Sequence, residues 1–201
     1  MFKTIAYADI FDYPLKADEL QRWLIQGDSF APAKVSPYWI KTNRFYHLPG
    51  RSKIISLRRQ RQHFSHLKWP IAYRAAKILS FIPSVKLVAV TGALAMNNAN
   101  KDDDIDLMVV TAKNRLWSTR LMATLLLFPH LRGGRTDSSK VANKLCLNLW
   151  LDETTLAIKR RNLYIAHEIC QAQPVFERDQ TYQKFIAANL WYKNFLPNWK
   201  I

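Results

Sequence analysis

Apolar positions in the first third of the chain recur at helical spacing and then give way to short runs of strand character. Residues 3–12 predict a short helix ending near Pro14. Residues 16–26 predict a second, with Leu20, Trp23, Leu24 and Ile25 apolar, broken by Gly27, Asp28 and Ser29. Residues 35–43 place Tyr38, Trp39 and Ile40 in a helix-compatible pattern. Two strand-like runs follow, 44–48 and 53–56, separated by Pro49, Gly50, Arg51 and Ser52, which is turn chemistry and predicts a hairpin. Three helices and a hairpin with a basic tip outline a winged-helix-like domain over 1–67, although a module used only for packing has the same outline.

From 57 to 82 the pattern is helical, with Pro70 marking a kink or a break. Its first part is basic with little apolar content, and its second part is amphipathic. Leu87 to Val90 reads as a β-branched strand running into Thr91-Gly92 and then Ala93, Leu94, Ala95 and Met96, a small-residue helical turn. A second strand, 105–110, is entered through Asp102, Asp103 and Asp104 and carries Asp106 inside it. A helix over 115–128 and a strand over 144–151 follow, and two further helices are expected in 159–201. Tyr164, Ala166, Ile169, Phe185, Leu190 and Trp191 read as their core side, with His167 and Glu168 open to facing a bound base.

Composition narrows the classes. With 201 residues, 49% hydrophobic and 22% charged, the chain is globular rather than disordered. Its longest apolar stretch, 122–128, is too short for a bilayer, and Asp9 and Asp12 interrupt what a signal peptide would need, so no membrane partner is expected. Cys146 and Cys170 form no C-x-x-C pair and read as reduced core residues of a cytoplasmic protein. The five histidines offer no metal-ligand pair on a helical face except His63 and His66, in a basic surface stretch.

Charge changes the picture more. The formal net charge is +15, and residues 29–101 contain thirteen Lys or Arg and no acid. Such a field is the footprint of a polyanion, so nucleic acid, RNA in particular, is the expected partner. Arg51, Lys53, Arg58, Arg59 and Arg61 are the candidate contacts, with a solvated basic face as the alternative.

The chemistry is concentrated between 85 and 111. Strand side chains alternate, so Asp104 and Asp106 share a face, roughly 6.6 Å apart along the strand. Two carboxylates so placed repel each other unless a cation lies between them, and Mg²⁺ (or Mn²⁺) is held by one or two carboxylates plus substrate phosphates. The turn at Gly92 and Ala93 offers backbone N–H groups to such phosphates.

Strand, Gly92-Ala93, ten residues, then Asp104-Ile105-Asp106-Leu107 resembles the signature of the DNA polymerase β-like nucleotidyltransferase superfamily. The resemblance implies an α+β protein: a nucleotidyltransferase core (68–158), a small mixed sheet with helices, preceded by the winged-helix-like domain and followed by C-terminal helices (159–201). It implies that Asp104 and Asp106 bind the metal ions that activate an NTP, that the glycine turn holds its phosphates, and that an NMP passes to an acceptor. Two positions depart from the pattern. Ala93 stands where Ser or Gly is usual, and the third carboxylate has no clear equivalent, with Asn148 on the matching strand and Asp152 at its end as substitute metal ligand. These departures keep open a catalytically silent nucleic-acid-binding module, as well as transfer to a protein or small molecule. A basic loop at Gly133-Gly134, with Arg132, Arg135 and Lys140, could touch triphosphate or primer.

Overall fold

A computed structural model describes residues 1–32, 36–132 and 141–201. The chain is a mixed α+β protein and divides into two compact units. The first comprises residues 1–60, 160–170 and 191–201, and the second 61–159 and 171–190.

In the first unit, α1 (Phe2–Asp9) buries Thr4, Ile5 and Ala8, and α2 (Ala17–Arg22) buries Leu20. Glu19 accepts the Lys16 backbone N–H at 2.8 Å and so closes the start of α2. The helix expected over 35–43 does not form among its described residues. Turn backbone occupies 37–38, and Ile40–Thr42 is a strand, β1, paired antiparallel with β2 (Phe45–His47). The hairpin therefore turns at Asn43 and Arg44, with Asn43 in the left-handed region at φ 55°, not at Pro49-Gly50. The stretch 53–56 expected as a second strand instead begins α3 (Ile54–Ser80), because Ile54, Ile55 and Arg58 fall at helical spacing and all are buried. Pro70 sits within this continuous helix on its exposed side, so no break occurs there.

Two buried polar groups organise this unit. Arg58 donates to both oxygens of Glu19, at 2.8 and 2.5 Å, and to the Pro14 carbonyl, with its guanidinium 4.0 Å from the Tyr13 ring. Burial works to raise the Glu19 pKa, but the hydrogen bonds and charge of Arg58 outweigh it and hold the carboxyl below its ordinary value. On α6 (Leu163–Gln171), His167 is buried and stacked on Tyr7 at 4.3 Å and Trp23 at 5.2 Å. It therefore faces core aromatics; Ala166 and Ile169 are buried as well, while Tyr164 is exposed.

Burial pushes the His167 pKa down from 6.5 to about 3, so the ring is neutral in the fold. A depressed folded-state value means its stabilisation is complete above pH 6.5 and is lost as pH falls toward 3. We expect the first unit to lose about 2 kcal/mol between pH 7 and pH 5 from this group. Urea denaturation of His167→Gln should show a flatter dependence over that window; equal slopes would contradict the assignment. Glu19 adds its own loss only at lower pH, below its ordinary value of 4.5.

The second unit is built on a four-stranded sheet in the order β5-β4-β3-β6. Here β3 (Val85–Val90) pairs antiparallel with β4 (Ile105–Thr111) and with β6 (Gln173–Glu177), while β4 and β5 (Leu145–Asp152) are parallel. The parallel pair needs a crossover, supplied by α5 (Leu116–Leu127). Ala72, Ala75, Ala76 and Leu79 of α3 form one core with Val88, Val90, Leu107, Val109 and with Ala123 and Leu127 of α5. Alanines on α3 let the helix approach the sheet closely. The strand β6 was expected as helix; Pro174 fits it because β6 is an edge strand, where a missing N–H costs no ladder bond. Arg178, just after β6, donates to the carbonyls of Ser80, Ile82 and Val85 and closes the C-terminal end of α3. The last helix, α7 (Thr181–Ala188), buries Phe185, while Leu190 beyond it is exposed.

Candidate active site

β3 ends at Val90, and Gly92 opens the single-turn helix α4 (Gly92–Ala95). Thr91 N–H donates to the Asp106 backbone carbonyl at 3.0 Å, which seats the turn against β4. Gly92 has φ +62°, and a Cβ there would lie 2.8 Å from Asp106 Oδ2. Both its backbone and its space therefore exclude a side chain. The glycine lets the turn press onto the carboxylate.

Asp104 and Asp106 lie on one face, as their two-residue spacing requires. The third member of the cluster is Cys146, with one ligand atom from each of the three residues within 4.8 Å of one another. Pairing explains this: in the parallel β4–β5 ladder Asp106 is directly opposite Cys146. The Cys146 thiol therefore lies beside the Asp106 carboxylate. Burial first, and then the negative charge of Asp104, raise the Asp106 pKa. Burial, then the Asp106 carboxylate, push the Cys146 thiol up to about 11. Arg132 faces Asp104, its Nη1 2.7 Å from Oδ2.

Neither residue expected at the third position is there. Asn148 is exposed and falls in a register shift, since Leu147 pairs with Leu107 and Leu149 with Met108, leaving Asn148 without a partner position in the ladder. Asp152 pairs with Thr111 at the far end of β4, five residues from Asp106 and so about 16 Å along the strand. It accepts N–H bonds from Asn114 at 2.7 Å and Thr154 at 2.9 Å and the Thr154 hydroxyl at 2.6 Å. Asp152 is a loop-closing residue, which corrects its expected role as a metal ligand.

The loop before Asp104 is held from α3 by a group that sequence reasoning passed over. Lys68 is buried, and its ammonium donates to the carbonyls of Lys101 (3.1 Å) and Asp103 (2.7 Å) and to Asn143 Oδ1 (2.9 Å). Along the same helix Arg61 donates to Asn100 Oδ1 at 3.0 Å, Ser65 Oγ accepts the Ala99 N–H at 3.1 Å and Trp69 Nε1 donates to Asn97 at 2.8 Å. Positions 61, 65, 68 and 69 make one helical stripe, and that spacing was the available signal. These bonds make 96–104 a shaped loop.

The basic residues expected to bind nucleic acid divide sharply. Arg58 is buried in its pair with Glu19, and Arg51 is engaged by Asp9 at 3.0 Å and Asp12 at 2.5 Å. Arg61 holds the asparagines of the loop. Lys53 and Arg59 are exposed. His63 and His66 are exposed as well, and the loop at 133–140, with Gly133, Gly134, Arg135 and Lys140, lies outside the described residues. A groove of about 410 Å³ runs beside the cluster, lined by Arg120, Thr124, Arg132, Cys146 and Asn148 among others.

No family model and no curated protein matches the chain. Three solved structures are similar in part. A crystal structure of the toxin–antitoxin MntA–HepT is 14% identical and covers 59% of this chain and 80% of its own, with a TM-score of 0.31. A mutant of that toxin–antitoxin is 13% identical over 58% of this chain and 81% of its own, with a TM-score of 0.33. A toxin–antitoxin crystallised with AMP-PNP is 16% identical over 55% of this chain and 80% of its own, with a TM-score of 0.30.

The donor set fits one divalent cation. Two carboxylate oxygens and one sulfur converge from a shaped loop and two adjacent strands, next to the Gly92 turn. It is not an all-oxygen set.

Proposed function

We propose that the second unit binds a nucleoside triphosphate with a divalent cation and transfers its NMP to an acceptor, as the resemblance to polymerase β-like nucleotidyltransferases implies. The observation that carries this is the close approach of the Gly92 turn to the Asp104–Asp106 pair. It sets a glycine turn against one of two neighbouring carboxylates, whose mutual repulsion a cation would relieve. When bound, the cation, Mg²⁺ or Mn²⁺ in the superfamily, would neutralise charge on the phosphates. Asp104 and Asp106 would hold it, the backbone at Gly92 and Ala93 would lie against the phosphates, and Arg132 and Arg120 would add positive charge from the groove. Lys68 would keep Asp103 and Asp104 in place through the loop backbone.

The +15 charge favours a polyanionic acceptor, RNA first, reached through the remaining exposed cations such as Lys53 and Arg59. The first unit, two helices followed by a hairpin, would serve that contact in the manner of a winged helix. A silent nucleotide-binding module is the second reading. It is favoured by Cys146 standing where a third carboxylate would activate the attacking hydroxyl.

Incubating the protein with each labelled NTP, Mg²⁺ or Mn²⁺ and total cellular RNA tests the choice. Label on RNA is the expected result. Label on protein or on a small molecule would move the acceptor, and NTP binding without transfer would establish the silent module. No NTP binding under any condition would overturn both.

A further inference from the structure

We infer that Cys146 is a metal ligand, and that the Asp104–Asp106–Cys146 cluster selects a borderline cation of the zinc class over magnesium. The inference rests on the proposed reading of Asp104 and Asp106 as a cation site and deepens it.

Three observations point to the sulfur. Cys146 is opposite Asp106 in the ladder, so the β4–β5 hydrogen bonds fix its side chain beside the carboxylate. Its ligand atom lies within 4.8 Å of those of both aspartates. In a tetrahedral zinc site, bonds of about 2.3 Å to sulfur and 2.1 Å to oxygen place those donors roughly 3.6 Å apart. From separations of 4.8 Å or less, the donors need to close by at most roughly 1.2 Å, a shift within the reach of side-chain rotation. The other candidate oxygens are elsewhere: Asn148 is displaced by the register shift and Asp152 closes a distant loop.

The donor chemistry then sets the preference. Magnesium demands oxygen ligands in octahedral geometry, whereas a thiolate suits zinc and its neighbours. Binding forms a bond from Cys146 Sγ to the cation and breaks the S–H bond, and the proton leaves to solvent with no change in oxidation state. Arg132 yields Asp104 Oδ2 to the cation. Two protein oxygens and one sulfur leave the fourth tetrahedral position open for a phosphate oxygen or water.

The test is a Co²⁺ titration of the full metal-free protein, read by absorption and calorimetry, then repeated with Zn²⁺ and Mg²⁺. The expected result is a near-ultraviolet sulfur-to-cobalt charge-transfer band that Zn²⁺ abolishes by displacement and Mg²⁺ does not. Cys146→Ser should lose the band and bind Zn²⁺ at least about 100-fold more weakly, since even outer-shell partners are worth 10–100-fold. Cys146→Asp, which keeps an anionic ligand, should lose the band and shift the preference toward Mg²⁺. Cys170→Ser should keep the band. Cobalt bound by calorimetry without the band, and equally by Cys146→Ser, would overturn the ligand role while leaving the aspartate site standing. No cation binding in a protein that still binds NTP would overturn the inference alone, and loss of both would overturn the underlying reading too.

Discussion

Replacing Asp106 with Asn is expected to abolish measurable nucleotide transfer without unfolding the second unit. Asp106 touches the Gly92 turn and lies beside Asp104 and Cys146. A cation at a phosphoryl centre supplies several kcal/mol of charge stabilisation. At 1.36 kcal/mol per tenfold, its loss is at least about 100-fold in rate. Asn keeps the shape, so the Gly92 turn still packs. Removing one of two neighbouring carboxylates also relieves repulsion, so the thermal midpoint should hold or rise. Asp104→Asn should behave similarly in transfer but also frees Arg132. Transfer rates with labelled NTP, alongside thermal melts, check both halves. An Asp106→Asn protein with full transfer activity would remove this site from the reaction.

The second large effect is expected on stability, at Arg58. Its charge is 2% exposed and is shared with Glu19, Tyr13 and the Pro14 carbonyl. Arg58→Met fills much of the volume but leaves Glu19 without its counter-charge. Breaking a buried pair in this way costs about 3–5 kcal/mol. For a chain of this size that is a fall of roughly 6–20 °C in melting temperature. Removing both charges with Glu19→Gln should recover most of the loss, because no uncompensated ion remains. Arg59→Gln, one position along the helix and exposed, should stay within about 0.5 kcal/mol. Scanning calorimetry on the four proteins decides the matter; an Arg58→Met variant as stable as its parent would mean that the pair contributes nothing. The contrast also bears on nucleic acid: among these arginines, Arg59 is the one whose replacement can report phosphate contact without disturbing the fold.

Much of the second unit was legible because its signals are local. The β-branched run before Gly92, the small-residue turn and the period-two aspartates are written within 27 residues, and each element forms close to where it was expected. The hairpin was harder. Both Pro49-Gly50 and Asn43 are turn-formers, and what separates them is that Ile54, Ile55 and Arg58 all need burial, which a helix satisfies and a two-sided strand does not. The strand β6 was missed because Pro174 and the flanking Gln173 and Glu177 mask the strand character of Val175 and Phe176; pairing with β3 supplies what the short segment lacks. Arg58 and Lys68 read as surface charges because a sequence shows the residue type and not the acceptors that burial brings to it.

The sequence by itself determined that Asp104 and Asp106 share a face, that a glycine turn precedes them, and that the chain carries a large positive charge. Those are matters of alternation, backbone freedom and counting, and they need no knowledge of distant residues. Only the tertiary structure decided which residue completes the cluster and which cations remain for solvent. Strand order and register between β4 and β5 bring position 146, forty residues away, opposite position 106, while Asn148 falls in the bulge and Asp152 lies opposite Thr111 at the far end. Likewise, Arg58 and Lys68 are withdrawn from the surface by contacts 33 or more residues distant in sequence. Such pairings are set by the global minimum of packing and hydrogen bonding, which no local pattern encodes.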